Sequence, residues 1–244
     1  MEQAVYEQVE TFLSPIYKSV PQNVSRPFIT LTFAQSLDGM ISKRGQQVLI
    51  SGKESLAMTH RLRTLHQGIM VGIGTALVDD PQLNARYVSS TLTFEQPQPI
   101  IMDPFLKLPD TCKLITNYRS GKGKQVWLIA SRKGCDINQE KKVLLEHLGV
   151  KILVVETNDD HLPLPQVFKL LKTHGIETLM IEGGSKIIQS CLSSGSFDQL
   201  IITIAPMFMG KDGVPALTNG QDIKKLNAVT YTTLGTDIVM SATQ

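Results

Sequence analysis

Apolar positions recur along this chain in two rhythms. Short apolar runs at 28–34, 69–73, 100–102, 126–130, 152–155 and 179–181 are too brief for helices and predict buried strands. Between the later runs, apolar residues return at helical spacing over 139–148, 164–174 and 186–193. That alternation predicts βαβ units on a largely parallel sheet flanked by helices. Residues 51–65 read as a further helix, with Ser51 as N-cap and Glu54 at capping-box spacing. The segment 5–20 has helical spacing interrupted by Pro15 and predicts a peripheral N-terminal helix. Runs at 200–204 and 229–239 follow one another with no long helix between them, which predicts an antiparallel C-terminal edge. The polar stretch 86–98 reads as a surface connection. The chain thus divides into an N-terminal helical extension, 1–26, and one α/β domain, 27–244.

Composition narrows this picture only modestly. With 244 residues and 42% hydrophobic content, the chain can bury one sizeable core. Its 24 basic and 22 acidic residues leave a net charge of +2, which offers no argument for a nucleic-acid partner. No apolar run approaches the roughly 20 residues that span a bilayer, so no membrane partner is expected. Met1-Glu2-Gln3 opens no secretory signal, and a cytoplasmic location is the expectation. Cys112, Cys135 and Cys191 are odd in number and widely spaced, as reduced thiols are, and no metal-ligand spacing is present.

Candidate chemistry concentrates in Met180-Ile181-Glu182-Gly183-Gly184-Ser185-Lys186, where a predicted strand meets a predicted helix. Unpaired N–H groups and the helix dipole make such a turn an anion site, and glycines let a diphosphate approach the main chain. The other reading of a lone Gly-Gly is a tight turn with no ligand. Val71-Gly72-Ile73-Gly74-Thr75-Ala76-Leu77 has two glycines of a dinucleotide fingerprint, but Leu77 occupies the third place and that fingerprint fails. Thr75 can offer its hydroxyl and N–H to a phosphate or amide, or cap the helix.

Several segments together carry a family resemblance. Leu31 to Gly39, the run Gly74-Thr75-Ala76-Leu77-Val78-Asp79-Asp80-Pro81-Gln82-Leu83-Asn84-Ala85-Arg86, and Met180 to Ser185 followed by Ile201 to Pro206 and Phe208-Met209-Gly210 resemble the reductases of riboflavin biosynthesis. The resemblance covers about 27–242. It implies a dihydrofolate-reductase-like fold, a homodimer, and reduction of a phosphorylated ribosylaminopyrimidine to its ribitylamino product. Bacterial members carry a zinc deaminase domain in front. Its His-x-Glu and Pro-Cys-x-x-Cys elements are absent here, and 26 residues before the core could not hold it.

The resemblance also implies roles at matching positions. Thr75, Asp79, Glu182, Gly183, Gly184, Ser185 and Lys186 match cofactor-binding positions, and Ala34 matches a residue near the nicotinamide. Arg63, Leu83, Arg86 and Glu182 match the substrate side, where guanidinium groups suit a phosphate monoester. Asp38 is the candidate proton donor, or else it braces the turn at Gly39. Ser131 and Arg132, followed by Lys133 at a strand end, fit an adenosine 2′-phosphate, so the expected cofactor is NADPH. Two other functions fit the same residues: a pterin or folate reductase of this fold, and a non-catalytic NADPH-binding dimer.

Overall fold

The computed structural model describes residues 3–21, 23–43, 48–89, 92–157, 159–217 and 225–244. In chain order its elements are α1 (Gln3–Tyr17), β1 (Phe28–Ser36), β2 (Met40–Lys43), α2 (Lys53–Arg63), β3 (Gly68–Gly72), α3 (Ile73–Asp79), β4 (Gln98–Met102) and α4 (Lys113–Arg119). Then come β5 (Trp127–Ser131), α5 (Arg132–Ile137), α6 (Gln139–His147), β6 (Lys151–Val155), α7 (Leu164–Thr173), β7 (Thr178–Gly183) and α8 (Ser185–Ser194). The chain ends through β8 (Gln199–Ala205), β9 (Gly213–Pro215), β10 (Asn227–Leu234) and β11 (Asp237–Thr243).

Nine strands form one sheet in the order β10-β11-β8-β1-β7-β3-β4-β5-β6. From β8 to β6 every neighbour is parallel, and β1 is flanked by β7 and β8. Successive side chains point to opposite faces of a strand, so each short run feeds two cores. Ile69, Val71, Ile101, Leu128 and Met180 pack toward α1, α2, α4 and α6. Met70, Ile100, Ile129, Leu179 and Ile181 pack toward α7 and α8. Covering both faces explains why these strands read as continuous apolar runs.

Thr30 interrupts the apolar pattern of β1 and is fully buried. Its hydroxyl lies 2.9 Å from the Tyr17 hydroxyl and 2.8 Å from His66 Nε2, while His66 Nδ1 lies 2.9 Å from the Leu62 carbonyl. A carbonyl only accepts, so Nδ1 carries the proton and Nε2 accepts from Thr30, which in turn accepts from Tyr17. Burial keeps the His66 imidazole neutral down to about 4. This relay ties the end of α1 to the sheet.

Four details depart from the pattern-based expectation. Ser51 does not cap α2: the N-cap is Gly52, and Asp237 at the start of β11 accepts from the Gly52 N–H at 2.7 Å and from the Ser55 hydroxyl. The run 229–239 is a hairpin, turning at Gly235 with φ +61°. The run 200–204 is not part of an antiparallel pair alone, because β8 is parallel to β1 and only β11 opposes it. The short helices α4 and α5 and the small β2–β9 sheet were not legible at all. Among the described residues no helix is long and apolar enough to cross a membrane, and no cluster of His, Cys, Asp or Glu could hold a metal ion.

Candidate active site

Because β8, β1, β7, β3, β4, β5 and β6 are parallel, their C-terminal ends share one edge of the sheet. Ligands of open α/β sheets bind outside that edge. Gly72, Ser131 and Gly183 end their strands there, Asp103 lies one residue beyond β4, and Ala34 lies two residues before the end of β1.

The helices α3 and α8 start there side by side. Their N-caps are Gly72 and Gly184, and neither helix start is bonded by a capping side chain. Gly184 has φ +78° and ψ 127°, a conformation that residues with a side chain rarely adopt. A Cβ on Gly184 would sit 3.5 Å from Thr75 Oγ1 and 3.6 Å from Gly72 Cα. The Thr75 hydroxyl, half-buried on the first turn of α3, therefore adjoins the N–H groups opening the ten-residue α8. Ser185 and the exposed Lys186 lie on that same first turn. Asp79, exposed, ends α3. Asp80 follows in the left-handed region at φ +41°, its carboxylate accepting from the Lys113 N–H at 2.9 Å.

Glu182 owes its position to a bulge. Met70 of β3 pairs with Ile181 of β7 but Val71 pairs with Gly183, so Glu182 is the extra residue. Bulges re-aim side chains beside sites, and this one brings Glu182 to the last turn of α2. There Arg63 Nε and Nη2 each donate to its carboxylate at 2.6 Å, and Arg63 Nη1 donates to the Asn84 carbonyl at 2.8 Å. Both side chains are nearly buried, 12% and 13% exposed. The sequence expectation set Arg63 against a substrate phosphate. In the structure its guanidinium is already engaged, and it joins Glu182 to the loop that carries Arg86.

That loop is held at several points. Leu83 sits at φ +45° with its side chain in the core, so it can offer a ligand only its main chain. Ala85 exchanges two bonds of 2.9 Å with the Gln96 amide. The Arg86 N–H donates to His60 Nδ1 at 3.1 Å, and Arg86 Nη1 donates to Asn84 Oδ1 at 2.9 Å. Arg86 is exposed, its guanidinium carbon 5.7 Å from the centre of the Tyr87 ring. His60 was missed in the sequence, although it lies three residues before Arg63 on the same predicted helix face.

Ala34 is half-buried near the end of β1, opposite Thr203 of β8. Asp38, read from the sequence as a proton donor or a brace of the turn at Gly39, is held by several donors. Ser36 donates to it, as do the N–H groups of Met209 at 3.1 Å and Gly210 at 2.8 Å. Those bonds favour the charged form and hold its carboxyl below the usual range. An ionised, braced carboxylate is a poor proton donor, so Asp38 pins the β1–β2 turn to the 209–212 turn.

At the ends of β4, β5 and β6 lies a second cluster. Ser131 is fully buried: its hydroxyl donates to the Pro104 carbonyl and accepts from the Gly134 N–H, both at 2.9 Å, capping α5. That hydroxyl is spoken for, so the expected contact of Ser131 with a 2′-phosphate is not what the geometry offers. Arg132 is exposed and bonds both oxygens of Glu156, at 3.1 and 2.6 Å, while Lys133 reaches Asp160 at 2.7 Å. Asp103, just beyond β4, is buried, with Oδ2 accepting from the Leu108 N–H at 2.8 Å and Oδ1 without a partner among the described residues. Burial pushes its carboxyl up.

The chain as a whole is similar to known proteins. Residues 27–240 match the model of the RibD C-terminal domain. The chain is 40% identical over 201 residues to the 2,5-diamino-6-ribosylamino-4(3H)-pyrimidinone 5′-phosphate reductase of Debaryomyces hansenii, covering 80% of this chain and 81% of that one. It is 33% identical over 226 residues to the Candida glabrata protein of the same name, covering 88% of each. The solved structure of the riboflavin biosynthesis reductase Rib7 of Saccharomyces cerevisiae superposes with a TM-score of 0.77 at 29% identity, over 97% of this chain and 99% of that one.

Proposed function

Because the chain belongs to the RibD C-terminal domain family, we propose that it is the NADPH-dependent reductase that converts the ribosylamino group of 2,5-diamino-6-ribosylamino-4(3H)-pyrimidinone 5′-phosphate to a ribitylamino group. The observation that carries this reading is the meeting of two uncapped helix starts at Gly72 and Gly184, a short way along the sheet edge from the Glu182–Arg63–Arg86 cluster. One half suits a diphosphate; the other suits a small phosphorylated ligand.

The residues present fit the cofactor. Gly183 and Gly184 leave room for phosphate oxygens, and the N–H groups of Ser185 and Lys186, the Lys186 ammonium and the Thr75 hydroxyl supply donors. Asp79 is acidic and therefore suits ribose hydroxyls or the carboxamide. Ala34 is small enough for a ring to lie against β1. Arg132 and Lys133 suit the 2′-phosphate by exchanging Glu156 and Asp160 for it, and Ser131 serves them indirectly by capping α5.

When bound, NADPH supplies a hydride to C1′ of the ring-opened imine. The C=N π bond gives its electrons to nitrogen, which carries a proton. No residue acid is needed if the imine arrives protonated, which agrees with Asp38 being held as a carboxylate. The work left to the chain is alignment: Arg86 binds the 5′-phosphate, and Glu182, oriented by Arg63, meets the ribose hydroxyls. We take residues 1–26 as an extension to the reductase domain 27–244, and the active form as a homodimer.

The test is to mix the pure protein with NADPH and the ribosylaminopyrimidine phosphate while following the reduced nicotinamide. Stoichiometric oxidation with appearance of the ribitylamino product supports the reading. Turnover of dihydropterin or dihydrofolate instead contradicts it, and so does tight NADPH binding without turnover of any of these substrates.

A further inference from the structure

We infer that His60 is a positioning residue for substrate phosphate recognition, setting the aim of Arg86 through the Arg86 backbone and the Tyr87 ring. The inference rests on the reading of Arg86 as the phosphate ligand. His60 stands on α2 and is 1% exposed. Its Nδ1 accepts from the Arg86 N–H at 3.1 Å. Its ring meets the Tyr87 ring edge-on, with centroids 4.7 Å apart at 84°. Tyr87 in turn presents its ring to the Arg86 guanidinium. One imidazole thus holds Arg86 at both ends: the main chain by a hydrogen bond, the charged head through an intervening aromatic ring.

The loop from Pro81 to Arg86 has no regular structure of its own, so its course depends on such ties. Arg63, one turn along α2, grips the Asn84 carbonyl at 2.8 Å, and Asn84 Oδ1 accepts from Arg86. Two residues of one helix face, Arg63 and His60, therefore hold the loop at Asn84 and at Arg86. The acceptor role needs an unprotonated Nδ1. Burial first, then the charges of Arg63 and Arg86, keep the His60 imidazole neutral down to about 3. Without that acceptor the Arg86 N–H loses its partner, and Arg86 is free to point elsewhere. A misaimed phosphate ligand weakens substrate binding more than it slows the chemical step, provided the reacting carbon is still held by other contacts.

The experiment measures kcat and KM for His60→Ala, His60→Asn, Tyr87→Leu and Arg86→Ala on the phosphorylated substrate and on its dephosphorylated form. Arg86→Ala is the reference and should lose activity on the phosphorylated substrate alone. His60→Ala should raise KM for the phosphorylated substrate about tenfold with kcat little changed, and leave the dephosphorylated substrate unaffected. Asn places an oxygen near the position of Nδ1, so His60→Asn should recover most of that KM. Tyr87 is half exposed, and Tyr87→Leu reads the same effect, smaller, should His60→Ala fail to fold. If Arg86→Ala is phosphate-selective while Tyr87→Leu matches the parent and His60→Ala either matches the parent or loses equally on both substrates, the positioning role is overturned and the phosphate reading survives. If Arg86→Ala itself shows no phosphate selectivity, the phosphate reading fails and the inference falls with it.

Discussion

Glu182 and Arg63 show how a residue's role depends on what stands opposite. The family resemblance implies ligand contacts for both, yet each satisfies the other through two bonds of 2.6 Å in a nearly buried setting. Removing one member of such a pair leaves a charge without its counter-ion. Arg63→Ala should therefore destabilise the protein by roughly 3–5 kcal/mol, measured by urea denaturation, and adding Glu182→Gln should recover part of that loss. Arg86→Ala, at an exposed position, should change stability by less than about 0.5 kcal/mol. Equal stability losses in the two arginine variants would contradict the division of labour between them. Asp38 and Ser131 carry the same lesson. Their types and neighbours were legible, but their partners were not: Asp38 bonds Met209 and Gly210, and Ser131 bonds Pro104, across long stretches of chain. Only the fold brings these groups within reach.

At the scale of elements, close approach decides what can be changed. Gly134, in the first turn of α5, lies so near the loop after β4 that an added Cβ would fall 1.8 Å from the Pro104 carbonyl oxygen. Gly134→Ala should force that loop away from Ser131 and cost about 3 kcal/mol or more. Gly74, on α3, has nothing within 4 Å of its Cβ position, so Gly74→Ala should be neutral or stabilising by up to about 1 kcal/mol. Thermal melts of the two variants check the contrast, and similar melting temperatures would refute it. The long elements of the sheet were legible because both faces of each parallel strand are covered, which makes the runs apolar throughout. Three things were not. Helices of six or seven residues, α4 and α5, are too short for a period to register. The 229–239 hairpin hides its turn in a single Gly235, and the start of α2 is capped from β11 by Asp237.

The whole molecule carries two buried imidazoles that resist protonation, His60 to about 3 and His66 to about 4, against an ordinary 6.5. The unfolded chain takes up a proton at each below about pH 6.5, whereas the folded protein does not until the lower values. Stability should therefore fall with pH from 6.5 to about 4, by up to about 1.4 kcal/mol per pH unit for each histidine. Urea midpoints over that window should decline less steeply in His66→Gln than in the parent, and parallel slopes would contradict the buried, neutral state of His66. The central claim, that hydride passes from NADPH at this sheet edge to C1′ of the substrate, has a more direct test. Single turnovers with NADPH deuterated at either face of nicotinamide C4 should give a ribitylamino product carrying one deuterium at C1′ from one of the two labelled forms and none from the other. Mass spectrometry reads that difference, and an unlabelled product from both forms would contradict the account.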